Sequence, residues 1–237
     1  MTAPREQAPA RRRNPRGQGQ LLKTQLVEAA ARLLATLDHP ETITLRQVAR
    51  EVGVAPASIY GHFPDLGALI EHVLRLRYAE LAELMDQAAS RAADPLGDLV
   101  ARCAAYVHWG VEQPGSYRTL IGSRMPADLV PHTAHGAGAQ LLESVIASLA
   151  AVTEGEAEGE AEADADIHGA SDQAAAQQRR WQAGLMLWTA MHGLVSLYND
   201  HGNLPWPPLD DLLADLLALH TARPTPDIAA LLRLVTK

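Results

Sequence analysis

Hydrophobic residues recur three and four residues apart along most of the chain, and this spacing predicts a succession of helices. From Leu21 to about Leu37 the apolar positions fall on one face of an amphipathic helix. Further helices are predicted over about 65–90, 95–113, 132–152, 177–198, 209–220 and 227–235. Alanine and leucine dominate, and no run of short β-branched segments occurs. We therefore expect an all-α fold.

The stretch TLRQVAREVGVAPASIYGHF, from Thr44 to Phe63, predicts two short helices joined by a tight turn. Thr44 and Gln47 have the spacing of a capping box, in which each residue satisfies a backbone amide of the first turn. Gly53 stands where that helix must stop, since glycine tolerates the left-handed conformation. Pro56 suits the first turn of the second helix. This arrangement, behind a basic N-terminus, is typical of a helix-turn-helix that places its second helix in the major groove of DNA.

The second helix predicts an inner and an outer face. Ile59 and Phe63 are four residues apart and point inward, whereas the remaining side chains are left for contact with DNA. Methyl and ring surfaces suit thymine methyl groups, a serine suits a base edge or a phosphate, and an arginine suits guanine or a phosphate. The DNA contacts expected on this basis are Ala55, Pro56, Ala57 and Ser58 on the second helix, and Arg46 on the helix before it. The alternatives are a solvated charge for Arg46 and, for the whole motif, a helical hairpin that binds no nucleic acid.

The segment IYGHFPD, from Ile59 to Asp65, follows a threonine-led helix and a Gly-Val turn, and it resembles the tetracycline-repressor (TetR) family of bacterial regulators. The resemblance covers about residues 20–70. It implies an N-terminal three-helix DNA-binding domain, joined by a long fourth helix to a larger helical domain that binds a small molecule and dimerises. It also implies phosphate contacts from Thr44, Tyr60 and His62. Leu66 departs from the family, which commonly has a phosphate-binding lysine there, so a weaker half-site is expected.

A second resemblance covers roughly residues 90–200. The segment WTAMHGLVSL, from Trp188 to Leu197, follows Tyr106, Pro114 and Tyr117-Arg118 along the chain. These residues are similar to the WHG type of TetR C-terminal domain, which is named for a tryptophan, a histidine and a glycine of this kind.

Together these patterns predict the domain organisation. We expect a disordered basic arm over 1–19, a helix-turn-helix domain over 20–65, an effector-binding and dimerisation domain over 66–225, and a C-terminal tail helix over 226–237. The arm carries Arg11, Arg12, Arg13 and Arg16. It is either a solubilising tail or an arm that reaches a phosphate backbone or minor groove.

The net charge of −8 conceals a division along the chain. Residues 1–65 hold nine Lys/Arg and six Asp/Glu, whereas residues 66–237 hold eleven and twenty-two. The field that attracts DNA is therefore expected at the N-terminal end. Seven acidic residues lie between Glu154 and Asp166, without a large apolar residue. They predict a disordered acidic loop over 154–170, with a DNA-mimicking or partner-binding segment as the alternative.

Aromatic, soft and polar side chains concentrate in the second domain, as expected for a small-molecule site with apolar walls and few polar groups. The predicted effector-binding residues are Tyr106, Trp109, Met125, Trp181, Leu185, Trp188 and His192. For each of them the alternative is ordinary core packing. The imidazole of His192 either bonds a ligand or satisfies a buried carbonyl group.

Several classes of protein are disfavoured. The pairs His132/His135 and His192/His201 lack a cysteine or carboxylate set at ligand spacing, so no metal is expected. There is no phosphate-binding glycine loop and no activated-nucleophile motif, so we expect neither an enzyme nor a cofactor. The single Cys103 is interpreted as a buried packing residue, with a redox sensor as the alternative. We expect no membrane segment and no secretory signal, hence a cytoplasmic protein.

The sequence therefore predicts a homodimeric transcriptional repressor that a small apolar effector releases from a palindromic, double-stranded DNA operator. The helices near 177–198 and 209–220 would pair with their copies in the dimer. The two recognition helices would then span half-sites about 34–36 Å apart. The alternative is a helical ligand-binding or protein-interaction module that no longer binds DNA specifically.

Overall fold

Helices make up the regular structure throughout the described part of the chain. The computed structural model describes residues 18–37, 39–121, 132–160 and 170–235. Within these ranges the α-helices are α1 (Gln18–Thr36), α2 (Leu45–Val52), α3 (Leu66–Ala89), α4 (Pro95–Glu112), α5 (Pro114–Ile121), α6 (His132–Glu160), α7 (Ala170–Asp200), α8 (Leu209–Thr221) and α9 (Thr225–Val235). Two 3₁₀ helices cover Pro40–Thr42 and Pro56–Gly61. The all-α prediction is confirmed.

The ends of the helices follow local chemistry. The Asp65 carboxylate accepts a hydrogen bond from the backbone N–H of Ala68 at 2.8 Å and begins α3. Asp94 does the same for α4, accepting from Gly97 at 2.7 Å. Each aspartate satisfies an amide that has no partner within its helix. The helix starts expected at these positions are therefore confirmed.

The small N-terminal bundle and the larger C-terminal bundle share one apolar core. Leu26 of α1, Val48 of α2 and Ile59 are fully buried in the N-terminal bundle. The long helix α3 runs on from there into the second bundle, where α4 is central and contacts α3, α5, α6, α7, α8 and α9. Because α3 contributes to the core in both bundles, a movement of this helix affects both.

Polar pairs connect the helices around α4. Arg102 on α4 bonds Asp98 at 3.0 Å and also pairs with Asp86 on α3. The hydroxyl of Ser148 on α6 donates to the carboxylate of Asp98. These charged groups are bonded at the edge of the core, so they connect α3, α4 and α6 without leaving a charge unpaired.

Cys103 lies in the middle of α4 and is fully buried. Burial raises the pKa of its thiol to about 12. The interpretation of Cys103 as a packing residue agrees with this position, since a thiol sensor requires an accessible and easily ionised group.

Two features of the C-terminal half differ from the sequence-based expectation. The helix α6 continues to Glu160 and α7 begins at Ala170, so the predicted acidic loop over 154–170 is helical at its start. The preceding residues of α6 already form the helix, and extending a formed helix through glutamates is easier than starting one, so α6 continues despite Gly155 and Gly159. Residues 161–169 lie outside the described residues.

The second difference concerns the C-terminal segment. Helix α9 packs against α4 and α8 and buries Ile228 and Leu232 in the common core. It is therefore a part of the second bundle, whereas the sequence suggested a separate tail over 226–237. Ile228 and Leu232 are four apart and fall on one face of α9, and Ala229 and Leu231 pack against the core beside them.

The basic arm over 1–19 lies outside the described residues up to position 17. Among the described residues, no helix combines the length and apolar character that a bilayer crossing requires. The same residues contain no cluster of three or more side chains suited to hold a metal ion.

Candidate functional site

The turn between α2 and the second 3₁₀ helix has the predicted geometry. Thr44 caps α2: its hydroxyl accepts from the backbone N–H of Gln47 at 3.2 Å, and the Gln47 amide oxygen accepts from the backbone N–H of Thr44 at 2.7 Å. Gly53 ends the helix with φ of 78°, in the left-handed region. The capping box and the glycine stop are confirmed, and together they fix the angle at which the chain leaves α2.

The second helix of the motif, Pro56–Gly61, is a 3₁₀ helix, which is wound more tightly than an α-helix. Ile59 is fully buried beneath it, and Phe63 is buried directly after it. Tyr60, between these two anchors, has 60% of its side chain exposed. The motif therefore holds a rigid backbone on the core and presents its other side chains to solvent.

The residues predicted to contact DNA lie on this outer surface. His62 is half-buried and the others are exposed, namely Thr44, Arg46, Ala55, Pro56, Ala57, Ser58 and Tyr60. Helix α1 begins beside them, since a Cβ atom placed on Gly19 would lie 3.7 Å from Cε1 of His62. The chain thus enters α1 next to the motif. Leu66, in contrast, is half-buried and packs against the core.

Cationic side chains gather behind the second helix. The ammonium group of Lys23 lies 5.6 Å from the centre of the Phe63 ring, and the His72 ring lies 5.7 Å from the same ring. Arg75 donates to Nδ1 of His72 at 2.9 Å. Burial, followed by the charges of Lys23 and Arg75, lowers the pKa of His72. Lys23 and Arg75 thus place two cationic groups behind the second helix, with the carboxylate of Glu71 nearby.

In the second bundle an aromatic cluster joins three helices. It consists of Tyr106 on α4, Tyr117 on α5, and Trp188 and His192 on α7. The Trp188 and His192 rings lie 4.8 Å apart, and the Tyr106 and Trp188 rings 4.9 Å apart. Tyr106 shares a hydrogen bond with Nδ1 of His192, while the Tyr117 hydroxyl donates to the His192 carbonyl oxygen at 3.2 Å. His192 is therefore held at both its ring and its backbone.

Burial also sets the ionisation of this cluster. It lowers the pKa of His192 to about 4 and raises that of Tyr106 well above its usual value. Both groups are consequently neutral near pH 7. The imidazole then offers Nε2 as a neutral hydrogen-bonding group, since Nδ1 is occupied by Tyr106.

A cleft of about 730 Å³ opens beside His192. It lies between the end of α1 and the following turn, the helix α5 and one face of α7. The residues lining it are Leu37, Pro40, Tyr117, Arg118, Ile121, Thr189, His192, Gly193, Ser196, Asn199 and Asp200. Both bundles line this cleft, because Leu37 and Pro40 belong to the N-terminal bundle and the other lining residues belong to the second bundle. Its volume lies within the usual range for small-molecule sites.

Helix α5 connects the cleft to α1 and α3, the helices that flank the motif. A Cβ atom on Gly115, in the first turn of α5, would lie 2.0 Å from the carbonyl oxygen of Ala35 on α1. At the other end of α5, the Tyr78 hydroxyl on α3 donates to the carbonyl oxygen of Leu120 at 2.7 Å. A shift of α5 therefore acts on both α1 and α3.

The predicted effector-binding residues do not lie together. His192 lines the cleft, and Tyr106 and Trp188 pack behind it. Trp109 is buried in the core. Trp181 and Leu185 lie nearer the start of α7 and do not line the cleft, and Met125 lies outside the described residues. Composition alone does not separate the wall of a cavity from the core behind it, because both are rich in aromatic residues.

Sequence reasoning missed most of the polar lining of the cleft. Thr189, Gly193, Ser196 and Asp200 follow one another three or four residues apart along α7. A small or polar stripe of this kind on a helix that is otherwise packed indicates a face that borders open space. This spacing is the sequence signal for the α7 side of the cleft. Arg118, which lines the cleft from α5, belongs to no such pattern.

Two family profiles match the chain over most of this architecture. Residues 26–73 match the profile described as bacterial regulatory proteins, tetR family, and residues 99–220 match the profile described as tetracyclin repressor-like, C-terminal domain. The chain belongs to the TetR family. Both resemblances noted in the sequence led to this family. TetR proteins are transcriptional regulators and not enzymes, and typically combine a DNA-binding domain with a ligand-binding C-terminal domain.

Solved structures share the TetR fold at low sequence identity. A protein of unknown function from Rhodococcus sp. RHA1 has 22% identity and a TM-score of 0.66, over 89% of this chain and 98% of its own. A TetR family regulator from Marinobacter aquaeolei VT8 has 16% identity and a TM-score of 0.59, over 87% and 97%. RolR, solved in complex with resorcinol, has 13% identity and a TM-score of 0.55, over 91% and 94%.

Proposed function

We propose that this TetR regulator is a homodimeric repressor that leaves its operator when a small molecule binds the second bundle. The observation that carries the proposal is the second helix of the motif, which is anchored by Ile59 and Phe63 and turns a continuous set of side chains to solvent. A rigid, exposed helix of this kind is what insertion into a major groove requires.

The exposed set supports particular roles. Tyr60, His62 and Thr44 are proposed to bond phosphates, and Arg46 and Ser58 to contact phosphates or base edges. Ala55, Pro56 and Ala57 offer apolar surface to thymine methyl groups. Because few of these side chains are polar, DNA shape is expected to contribute much of the specificity.

The proposed dimer uses α7 and α8. Exposed apolar side chains lie on both helices: Trp181, Met186 and Leu197 on α7, and Leu219 on α8. Leu219 has 86% of its side chain exposed. Pairing of these helices with their copies would remove this apolar surface from water, which favours association. It would also set the distance between the two recognition helices.

The proposed effector differs in one respect from the sequence-based hypothesis of an apolar molecule. The cleft carries Arg118, Asp200 and several neutral polar groups beside its apolar wall, which favours an effector with polar or charged substituents. RolR, a distant structural neighbour, is a member of the same fold class that was solved with the small polar aromatic resorcinol.

The route of regulation is proposed to pass through α5. A ligand in the cleft contacts α5 and α7 as well as the turn after α1, and α5 is in turn packed against α1 and bonded to α3. A ligand that prefers the arrangement without DNA by only ~1–3 kcal/mol is sufficient to change operator occupancy.

The test is binding of the purified full chain to the DNA upstream of its own gene, at low and near-physiological salt, with a scrambled duplex alongside. The repressor hypothesis expects selective binding that persists at the higher salt, while non-selective phosphate binding weakens steeply. Weak and equal binding to both duplexes, and to genomic fragments selected from a library, would favour the alternative of a helical module that no longer reads DNA. The packed Leu66 and the acidic second bundle are the features that favour this alternative.

A further inference from the structure

We propose that the cleft between α1, α5 and α7 binds a small zwitterion, whose carboxylate meets Arg118 and whose ammonium group meets Asp200. This inference rests on the proposed function for its regulatory part, and it names the class of effector that the proposed function leaves open.

Two opposite charges, both exposed to solvent, line one cleft without being paired with each other. Arg118 lies on α5 and Asp200 at the end of α7, and they form no ion pair with each other. Among the described residues, no carboxylate lies within ion-pair distance of Arg118. Within the described ranges, the hydrogen bond given to the Asp200 carboxylate is a long one from Ser196, at 3.5 Å. A ligand with a single charge would match one of these groups, whereas a zwitterion matches both.

The groups around each charge favour the same polarity. The side-chain N–H of Asn199 donates to the carbonyl oxygen of Gly110 at 3.0 Å, which leaves its amide oxygen as a further acceptor in the lining of the same cleft. An ammonium group has three donors and therefore suits a carboxylate beside an amide oxygen. The planar guanidinium of Arg118 matches a carboxylate with two parallel hydrogen bonds.

The remaining wall suits an apolar body beside the two charged groups. Leu37, Pro40 and Ile121 line the cleft with apolar surface. The ring of neutral His192 lies on α7 and faces the same space. An occupant whose carboxylate and ammonium group share one carbon, as in an α-amino acid, would bury an aromatic or aliphatic body there while both charged groups are hydrogen-bonded.

The position of the cleft links occupancy to the DNA-binding bundle. Leu37 and Pro40 follow α1, whereas Arg118 and Asp200 belong to the second bundle. An occupant of this site therefore contacts both bundles at once. If the occupant binds one arrangement of the two bundles more tightly than another, it shifts the population toward the first by that difference in affinity.

The test uses three probes with one common body: phenylalanine, 3-phenylpropionate, which lacks the ammonium group, and phenethylamine, which lacks the carboxylate. Calorimetric titration of the full-length protein is expected to give the tightest binding for phenylalanine. The Arg118→Gln variant should weaken phenylalanine and 3-phenylpropionate about tenfold, and leave phenethylamine unchanged. The Asp200→Asn variant should weaken phenylalanine and phenethylamine to the same extent, and leave 3-phenylpropionate unchanged.

Matched controls separate the cleft from general charge effects. Arg179→Gln on α7 and Asp215→Asn on α8 make the same chemical changes at exposed positions that do not line the cleft, and they should leave all three titrations unchanged. Equal binding of the three probes, the same response from the control variants, or no binding of phenylalanine at millimolar concentration would overturn the proposed ligand class.

Operator binding is measured on the same samples, so that the two proposals fail separately. Retained operator binding together with absent phenylalanine binding would remove the zwitterion site and leave the repressor intact. Phenylalanine binding that does not change operator affinity would overturn the regulatory part of the inference. A change in operator affinity that Arg118→Gln and Asp200→Asn both abolish is the result that we expect.

Discussion

Gly115 of α5 lies directly against the backbone of Ala35 in α1, so closely that a Cβ atom on the glycine would be 2.0 Å from the Ala35 carbonyl oxygen. The neighbouring atoms are backbone, and they cannot turn aside as a flexible side chain would. This contact is the tightest link described here between the second bundle and the helix that leads into the motif. A displacement of either helix at this point would therefore press on the other.

Gly115→Ala is expected to push these two helices apart. Overpacking of this kind costs about 1–3 kcal/mol of unfolding free energy, and operator affinity should change because α1 braces the motif. Urea denaturation and operator titration measure the two effects. Gly202→Ala is the matched control, since a Cβ atom there meets nothing within 4 Å. Equal stability of the two variants would show that α1 and α5 adjust without strain.

Gly53→Ala should destabilise the motif through its backbone conformation. The residue has φ of 78°, and an L-residue with a side chain loses about 1–2 kcal/mol in this region. Gly61→Ala is the control, because Gly61 also has open space around its Cβ position but not a left-handed φ. A lower melting temperature for Gly53→Ala than for Gly61→Ala is expected by thermal denaturation. Coinciding curves would contradict the argument.

Tyr60→Ala tests the proposed phosphate contact. The side chain is 60% exposed, so its removal should leave stability and dimerisation unchanged. Operator affinity should fall by about 1 kcal/mol, roughly fivefold in Kd, and by a similar factor for unrelated duplexes. Tyr60→Phe retains the ring and loses the hydroxyl, so it should weaken binding to the same extent. Full affinity in both variants would remove Tyr60 from the DNA contacts.

His192 predicts a dependence of stability on pH. Burial lowers its pKa from 6.5 to about 4, so between these values the unfolded chain binds a proton that the folded chain does not. Stability should therefore fall as the pH falls below 6.5, and the loss should level off below about pH 4. The full contribution is on the order of 3 kcal/mol.

The His192→Asn variant removes this titration while keeping a polar group near the Tyr106 hydroxyl. Unfolding free energies from urea denaturation, measured at several pH values between 4.5 and 7, should decline less steeply in the variant than in the native protein. Because other histidines titrate in both proteins, the difference between the two slopes is the relevant quantity. Parallel slopes would show that His192 is charged more readily than its burial indicates.

The parts of the fold that the sequence predicted well depend on interactions between neighbours in the chain. The capping box of Thr44 and Gln47, the stop at Gly53 and the start of a helix near residue 65 each depend on residues within a few positions of one another. The all-α class follows in the same way from the three- and four-residue spacing of apolar side chains. Such signals are present in the sequence whatever the rest of the molecule does.

The cleft depends instead on residues far apart in the chain. Leu37, Arg118 and Asp200 meet only because α1, α5 and α7 pack as they do, and no local pattern indicates that arrangement. Trp109 shows the same limit from the other side. Its aromatic side chain suggested a binding site, but tertiary packing places it in the core. The helical start of the acidic stretch at Glu154 shows that a formed helix continues into a charged segment, so an excess of acidic residues does not mark where α6 ends.

The burial of Cys103 has a practical consequence for measuring the dimer. It is the single cysteine of the sequence, and with a pKa of about 12 inside α4 it does not react with thiol reagents while the protein is folded. A cysteine introduced by Ser58→Cys, at an exposed position on the second helix of the motif, would then be the sole accessible thiol of each chain. In the proposed dimer, a spin label attached there would report the distance between the second helices of the two motifs, with and without a candidate effector.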